Sequence, residues 1–508
     1  MRCRLFVVLC CCLAAVATAE LQSVEVGGEL RIRGRWWRNV WNAERVPVYP
    51  DSALGRRPLG PFGATTQFRI DGDQNARAYL EQRTRLNVRA RFTGDVSAFF
   101  ELEAFHRVSG FRSNVVTGQD FADADPSGVN LFQAHIDVAR LFGSDLGLRI
   151  GRQTLRMGKG WLIGDAISPC LGLSFDAFRL YWDADPWRVD AWAAKLAENS
   201  DVEVDGDVDF YGVYAEYGGL DALHIAGYWF WLRDARDQRR TRGAPTTEWI
   251  ESLLGWDDYD VTNLHTVGIR LNGTRNGWDY DLEVARQQGN ADHRGSLFTR
   301  DGYGDTGACY KHWALDVEAG HTFERRFTPR VFLGGAWFEG DDHRAVSAFD
   351  YYNPLATPRA SVSFNRLFSS VAYNNVLDIL GGSEALSNFF ELRGGLQVHW
   401  TDAVVSTAKL AHYWVDAPFR PPRRRALGGF TPHAFLTRPG ERPIGWTSTL
   451  LTRYAYSDDL AILVGWEHFE PGPALLGGAY IFKNGTEIAG GTKTRASDYL
   501  WFDIGLRF

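Results

Sequence analysis

The sequence predicts an all-β fold: a single transmembrane antiparallel β-barrel of about eighteen strands, with short periplasmic turns and long extracellular loops. Three observations predict it. Segments of about ten residues alternate apolar with polar, the connections between them alternate short with long, and the final segment ends on phenylalanine.

The alternation is clearest over 77–91. Ala78, Leu80, Leu86, Val88 and Ala90 take one parity, with Phe92 just beyond, whereas Arg77, Glu81, Arg83, Arg85, Asn87, Arg89 and Arg91 take the other. Successive side chains of a strand point to opposite faces, so this segment has one oily face and one charged face. In water either face can be the buried one. In lipid only one assignment works: the apolar face meets hydrocarbon and the charged face lines an interior wet enough to hold it. The same pattern recurs at 29–35, 95–107, 179–183, 278–287, 391–399 and 499–508.

Short turns fall at 92–94, 143–145, 184–185, 218–221, 273–276, 401–402 and 457–459. Long connections fall at 40–76, 108–128, 154–174, 233–261, 288–309, 340–390, 415–442 and 470–497. A barrel with short turns at one end and long loops at the other has this rhythm, and it puts both termini on the periplasmic side. No composition shift or Pro/Ser-rich linker divides the chain, so residues 20–508 are expected to form one barrel domain.

Residues 1–19 read as a cleaved signal peptide. Arg2 and Arg4 precede an apolar stretch over 5–16, and Ala17, Thr18, Ala19 give the small-x-small pattern a signal peptidase accepts. Four of the six cysteines lie in this leader, which excludes a disulfide framework and leaves open whether Cys170 and Cys309 pair. A net charge of -7 and a negative mean hydropathy would suit a large soluble enzyme, and no apolar run long enough for a membrane helix follows the leader. The departure from an ordinary composition is 14% aromatic residues alongside 53 glycines and only two methionines, which favours many strands joined by glycine turns.

The last segment sets Phe502, Ile504, Leu506 and the terminal Phe508 on one parity, with Trp501, Asp503, Gly505 and Arg507 on the other. A half-buried final strand of a soluble protein explains the alternation but not the aromatic at the last residue. Recognition by the barrel-assembly machinery explains both. For catalysis the chain offers no G-x-S-x-G, P-loop or H-E-x-x-H motif, and its twelve histidines show no recurrent metal spacing. No enzyme activity, cofactor, metal or nucleic-acid partner is expected. Asp341, Asp342 and His343 read as a solvated turn, since two carboxylates fall short of the six or more oxygens of a hard-cation site. Trp229, Trp231, Trp313, Trp337 and Trp400 are assigned to the interfacial girdle, and a complete girdle suits a monomer surrounded by lipid.

Inward-facing charge is where a solute would be selected. Arg31, Arg33 and Arg35 join Arg83, Arg85, Arg89 and Arg91 in a cationic wall, with Glu29 among them, and low-dielectric walls focus such a field on an acidic solute. Bracing is the competing role. A three-residue turn at 92–94 would set Arg91 opposite Asp95, Arg85 opposite Glu101 and Arg83 opposite Glu103, pairs that stiffen the wall and leave nothing for a solute. Arg31, Arg33, Arg35 and Arg89 get no partner from that turn. Across the lumen, Asp279, Asp281, Glu283, Asp316 and Glu318 are expected to make an acidic wall.

Three stretches resemble the alginate-export porins of the bacterial outer membrane. Gly151, Arg152, Gln153, with Gly158 and Gly164, lead to Ser174, Phe175, Asp176, Ala177, Phe178, Arg179 and Leu180. Gly340, Asp341, Asp342 precede Phe364, Asn365, Arg366, Leu367, Phe368, and Gly465, Trp466, Glu467, His468, Phe469 precede Pro471 and Gly472. Leu173 and Met157 depart from the family pattern, where arginine and an aromatic are usual. The resemblance implies an outer-membrane channel for a uronate-rich saccharide, adds Arg152 and Arg179 to the conduit, and brings periplasmic export partners into view. A general or differently selective porin is the first alternative, and a closed barrel serving as an outer-membrane enzyme or adhesin is the second.

Overall fold

The computed structural model describes residues 20–46, 67–108, 128–168, 171–197, 207–235, 261–290, 308–340, 360–361, 363–377, 386–417, 442–476, 481–482, 486–488 and 495–508. The leader 1–19, Cys170, and Asp341, Asp342 and His343 lie outside the described residues. Among the described residues, eighteen strands form the wall. They are β1 (Leu21–Val46), β2 (Gln67–Phe92), β3 (Val96–Val108), β4 (Val129–Val138), β5 (Leu146–Gln153), β6 (Phe175–Ala184), β7 (Trp187–Ala197), β8 (Val208–Leu220) and β9 (Leu223–Asp234). The second half comprises β10 (Thr262–Arg275), β11 (Trp278–Asn290), β12 (Trp313–Thr322), β13 (Arg330–Phe338), β14 (Phe389–His399), β15 (Val404–Val415), β16 (Pro443–Ala455), β17 (Leu460–Pro471) and β18 (Ser497–Arg507). Each strand pairs antiparallel with the next, and β18 pairs with β1. The sheet therefore closes on itself and leaves no edge in the ring.

The oily and charged parities fall outside and inside as the alternation requires. Leu80, Leu86, Phe100, Ile269, Leu333, Leu410 and Leu450 are exposed on the outer surface, whereas Glu81, Arg83, Glu101, Glu103, Glu283, Asp316 and Glu391 are buried inside. Trp229, Trp231, Trp313 and Trp337 share the outward parity near the loop end, and Trp400 sits half-exposed at the turn end. At the closing seam Phe502, Ile504 and Leu506 register against Gly34, Ile32 and Leu30 of β1. Gly34 leaves room for the Phe502 ring to lie over it: a Cβ there would come within 2.2 Å of the ring, which would have to shift. Phe508 exchanges backbone hydrogen bonds with Gly28, donating at 3.1 Å and accepting at 2.8 Å.

The β2–β3 turn corrects the expected register. Phe92 pairs with Val96, so the three turn residues are Thr93, Gly94 and Asp95, with Gly94 and Asp95 both at positive φ. The strands are thereby slipped by two residues from the expected pairing. Arg85 faces Glu103 rather than Glu101, Arg83 faces Phe105, and Arg91 faces Ser97. Asp95 bonds instead to Arg140 at 2.8 Å. The first hairpin is also longer than read, because β1 continues to Val46 and β2 begins at Gln67, well into the stretch expected to be loop.

A larger departure lies at the loop end, where two connections fold into the barrel. Leu155, Trp161, Leu162 and Ile163 from one, and Phe364, Leu367, Phe368 and Tyr373 from the other, are buried against inward-facing Trp192, Phe210, Phe230, Phe338, Phe389 and Tyr413 of the wall. The outer half of the interior is thus an apolar core. The turn-end half keeps the charges. The two inserts also bond to each other: Gly164 donates its N–H to the Phe368 carbonyl (2.9 Å), Phe368 to that of Leu162 (2.9 Å), and Ser370 to that of Gly160 (3.0 Å).

Candidate conduit and its charged walls

One wall of the interior is built by β18, β1, β2 and β3. Arg31 donates to Asp503 through Nε (2.8 Å) and Nη2 (2.6 Å), a forked pair supplied by the closing strand. Arg83 bonds to Glu29 at 2.6 Å across the first hairpin. Arg85 pairs with Glu103 at 2.6 Å while its guanidinium lies 4.0 Å from the centre of the Phe132 ring. Arg35 donates to the Tyr499 hydroxyl (3.0 Å), lies 3.5 Å from Glu81, and stacks 4.5 Å over Trp37. Arg91 pairs with Glu25 at 3.0 Å at the turn-end rim.

Two arginines of this wall have no carboxylate partner among the described residues. Arg33 donates to Tyr499 Oη at 3.1 Å, and its Nε and Nη1 meet no acceptor although the side chain is buried. Arg89 lies 4.8 Å over the Phe99 ring and makes no hydrogen bond or ion pair among the described residues. Of the two arginines added by resemblance, Arg179 faces inward and donates to Asp190 at 2.5 and 2.8 Å. Arg152 does not reach the interior. It shares the outward parity of Ile150 and Phe178 and is clamped by both oxygens of Asp176 at 2.9 Å.

The wall read as acidic is a lattice of ion pairs, because the flanking strands β10, β13 and β14 bring in cations that the sequence reading did not single out. Arg270 bonds to Asp281 (2.5 Å). Arg330 bonds to Asp279 through Nε (2.8 Å) and to Glu318 (3.0 Å). Arg393 spans Asp316 (3.2 Å), Glu318 (3.2 Å) and Glu391 (2.8 Å). Arg270, Arg330, Arg393 and Lys409 all sit on the inward parity of their strands, so strand parity alone could have found them. Lys159 could not be found that way. It comes from the inserted segment between β5 and β6, and donates to Asp281 (2.8 Å) and Asp316 (2.6 Å). Burial works against its charge, but the Asp316 and Asp281 carboxylates outweigh burial and hold the ammonium above the ordinary lysine range.

Asp316 is the junction of these contacts. Besides Lys159 and Arg393 it accepts from the Tyr373 hydroxyl at 2.6 Å, and Tyr373 accepts in turn from Trp161 Nε1 at 2.8 Å. One wall carboxylate therefore holds both inserts. A cavity of about 390 Å³ opens beside it, with Lys159, Glu318, Phe332, Tyr373, Arg393 and Lys409 around it. Among the described residues no group of three or more His, Cys, Asp or Glu side chains is arranged to hold a metal ion. The arrangement is a charged interior at the turn end, narrowed from the loop end by the two packed inserts.

The family model described as "Alginate export" matches residues 62–478. No curated protein matches the chain in sequence. Among solved structures, OccAB4 of Acinetobacter baumannii is similar at 9% identity and a TM-score of 0.48, covering 95% of this chain and 98% of that one. OccD3 (OpdP) of Pseudomonas aeruginosa is similar at 13% identity and 0.47, covering 97% and 93%, and OccK8 (OprE) of the same organism at 11% and 0.48, covering 95% and 98%. With four fifths of its length matched by one family model and its strands closed into a barrel, the chain belongs to the alginate export family, a channel-forming outer-membrane porin.

Proposed function

We propose that the barrel gives a passive aqueous pathway across the outer membrane to a hydrophilic, anionic saccharide, alginate or another uronate-rich polymer or oligomer. The observation that carries this reading is that three inward-facing cations lack an ion-pair partner among the described residues, against two buried carboxylates, Glu101 and Glu467, that lack a cation. Arg33, Arg89 and Lys409 have no ion-pair partner among the described residues. Set in low-dielectric walls, they give the passage a net pull on carboxylates that the paired arginines do not. The chain is delivered as a precursor with residues 1–19 removed, is inserted by the barrel-assembly machinery through its last strand, functions as a monomer in lipid, and catalyses nothing. Periplasmic partners would hand it a polymer for export.

The test is single-channel conductance of the refolded protein in a planar bilayer under a salt gradient, with and without an oligouronate. Anion-shifted reversal and uronate block, both reduced when Arg33 and Arg89 are replaced by glutamine, are the expected results. Unselective current untouched by uronate would overturn the reading. It would leave a general porin, the alternative favoured by the extent of internal pairing around Asp316, Asp279 and Asp281.

A further inference from the structure

The cavity beside Asp316 is a mixture of signs, and most of its charges are already spent. Lys159 is held by Asp281 and Asp316 at 2.8 and 2.6 Å. Arg393 is held by Glu391, Asp316 and Glu318 at 2.8, 3.2 and 3.2 Å. Lys409 is different. It stands midway along β15 on the inward face, half-exposed to the cavity, and makes no hydrogen bond or ion pair among the described residues. Glu391 and Glu467 act on it only through space, beyond ion-pair distance. Glu467 is itself engaged elsewhere, accepting from the Asn375 side chain at 2.8 Å and from the Thr449 hydroxyl at 3.3 Å.

An ammonium that the wall leaves unpaired can give its hydrogen bonds to a solute without first breaking a contact. The other two cations of the cavity cannot. A solute carboxylate would therefore seat on Lys409 with charge-assisted bonds. The Glu318 and Asp281 carboxylates of the cavity are already paired, with Arg330 and Arg393 and with Lys159 and Arg270, but an ionised carboxylate has about four acceptor positions and can take a sugar hydroxyl as well without breaking those pairs. The cavity volume of about 390 Å³ lies at the small end of the ~300–1,000 Å³ range of small-ligand sites, room for a short saccharide and not for a polymer coil. The inserts contribute Tyr373 and Lys159 to the lining of the cavity.

We propose that Lys409 anchors one uronate unit of the passing saccharide in this cavity, its ammonium on the sugar carboxylate and the Glu318 and Asp281 carboxylates on the ring hydroxyls. This rests on the anionic-saccharide reading above and adds to it a defined seat on the wall away from the arginine cluster.

The experiment uses the full mature barrel in a planar bilayer and reads current block by two probes of one size, digalacturonate and the neutral disaccharide cellobiose. Lys409→Gln is expected to weaken block by digalacturonate about tenfold, the size of a lost charge-assisted hydrogen bond, and to leave block by cellobiose unchanged. Lys409→Arg is expected to keep most of the digalacturonate block. A merely structural role for Lys409, easing the burial of Glu391 and Glu467, would move both probes together, and that result overturns the proposal. So does an unchanged digalacturonate block in Lys409→Gln when the wild type is anion-preferring and uronate-sensitive. A wild-type channel with neither anion preference nor digalacturonate block instead removes the reading beneath it.

Discussion

Arg31 and Arg89 stand on neighbouring strands, share the inward parity, and read alike in the sequence, yet they present different charges to a solute. Arg31 is forked onto Asp503, so its field and that of the carboxylate largely cancel beyond a few ångströms. Arg89 has only the face of Phe99 beneath it. Arg89→Gln is accordingly expected to reduce anion preference, read as reversal potential under a salt gradient, at least about twice as much as Arg31→Gln. Asp503→Asn should act in the opposite direction, taking the carboxylate from Arg31 and raising anion preference, at a cost in barrel stability of roughly 1–3 kcal/mol for a part-buried charged hydrogen bond, measured by the melting of the strand signal in circular dichroism. Equal effects of the two arginine variants would mean that pairing does not decide which cations the solute meets.

At the scale of elements, both inserted segments meet at one wall carboxylate, Asp316, and each has further anchors: Lys159 on Asp281, Asn365 on Gln287 and Asn375 on Glu467. Asp316→Asn replaces the carboxylate shared by Lys159, Tyr373 and Arg393 with a neutral amide that keeps one acceptor oxygen of two, while the Trp161 and Phe368 packing remains. The expected outcome is a wider, noisier passage, with single-channel conductance raised severalfold and the barrel intact. Trp161→Ala, which empties a fully buried site between the inserts and Phe338, is expected to loosen the inserts from the other side at about 3–5 kcal/mol, seen as faster proteolysis near 154–174 in the assembled protein. The inserts should be indifferent to moderate alkalinity. Lys159 is charged below the ordinary lysine pKa of about 10.4 and, because its pKa is raised in the fold, keeps its contact until pH passes above that value. Conductance should hold steady from neutral pH to about pH 9, and opening within that window would place the pin elsewhere.

For the whole molecule, closure was legible in the chain because lipid removes the ambiguity of strand parity: a segment such as 77–91 has one workable orientation. Connection lengths were legible wherever Gly, Asn or Asp marked a tight turn. They were not at 323–329, whose Phe-Glu-Arg-Arg-Phe-Thr-Pro run carries no such residue, or in the ten-residue link between β7 and β8, too short to stand out as a loop. The interior was harder to read. Alternation says which face a residue takes but not what lies across from it, so a two-residue slip at Asp95 re-paired Arg83 and Arg85, and Asp503 reached Arg31 from the far end of the chain. The inserts left no periodic trace, since Trp161, Ile163, Phe364 and Phe368 lie in irregular backbone and their apolar partners on the wall read locally as lipid-facing.

The closing seam separates two roles that the last residue can play. Phe508 adds two backbone hydrogen bonds with Gly28 beyond the end of β18, while its ring stands exposed at the turn-end rim. Those bonds extend a ladder already fixed by the pairing of 498–507 with β1 and by β17 on its other side, so as structure they are dispensable. If the terminal aromatic serves recognition by the assembly machinery, deleting Phe508 should lower the yield of folded barrel in the outer membrane of a producing cell about tenfold or more. The same variant, refolded from denaturant into detergent, should melt within ~1 kcal/mol of wild type and conduct with unaltered selectivity. Loss of stability in the refolded protein would instead assign Phe508 to the seam itself, and an unchanged yield in cells would remove it from the insertion signal.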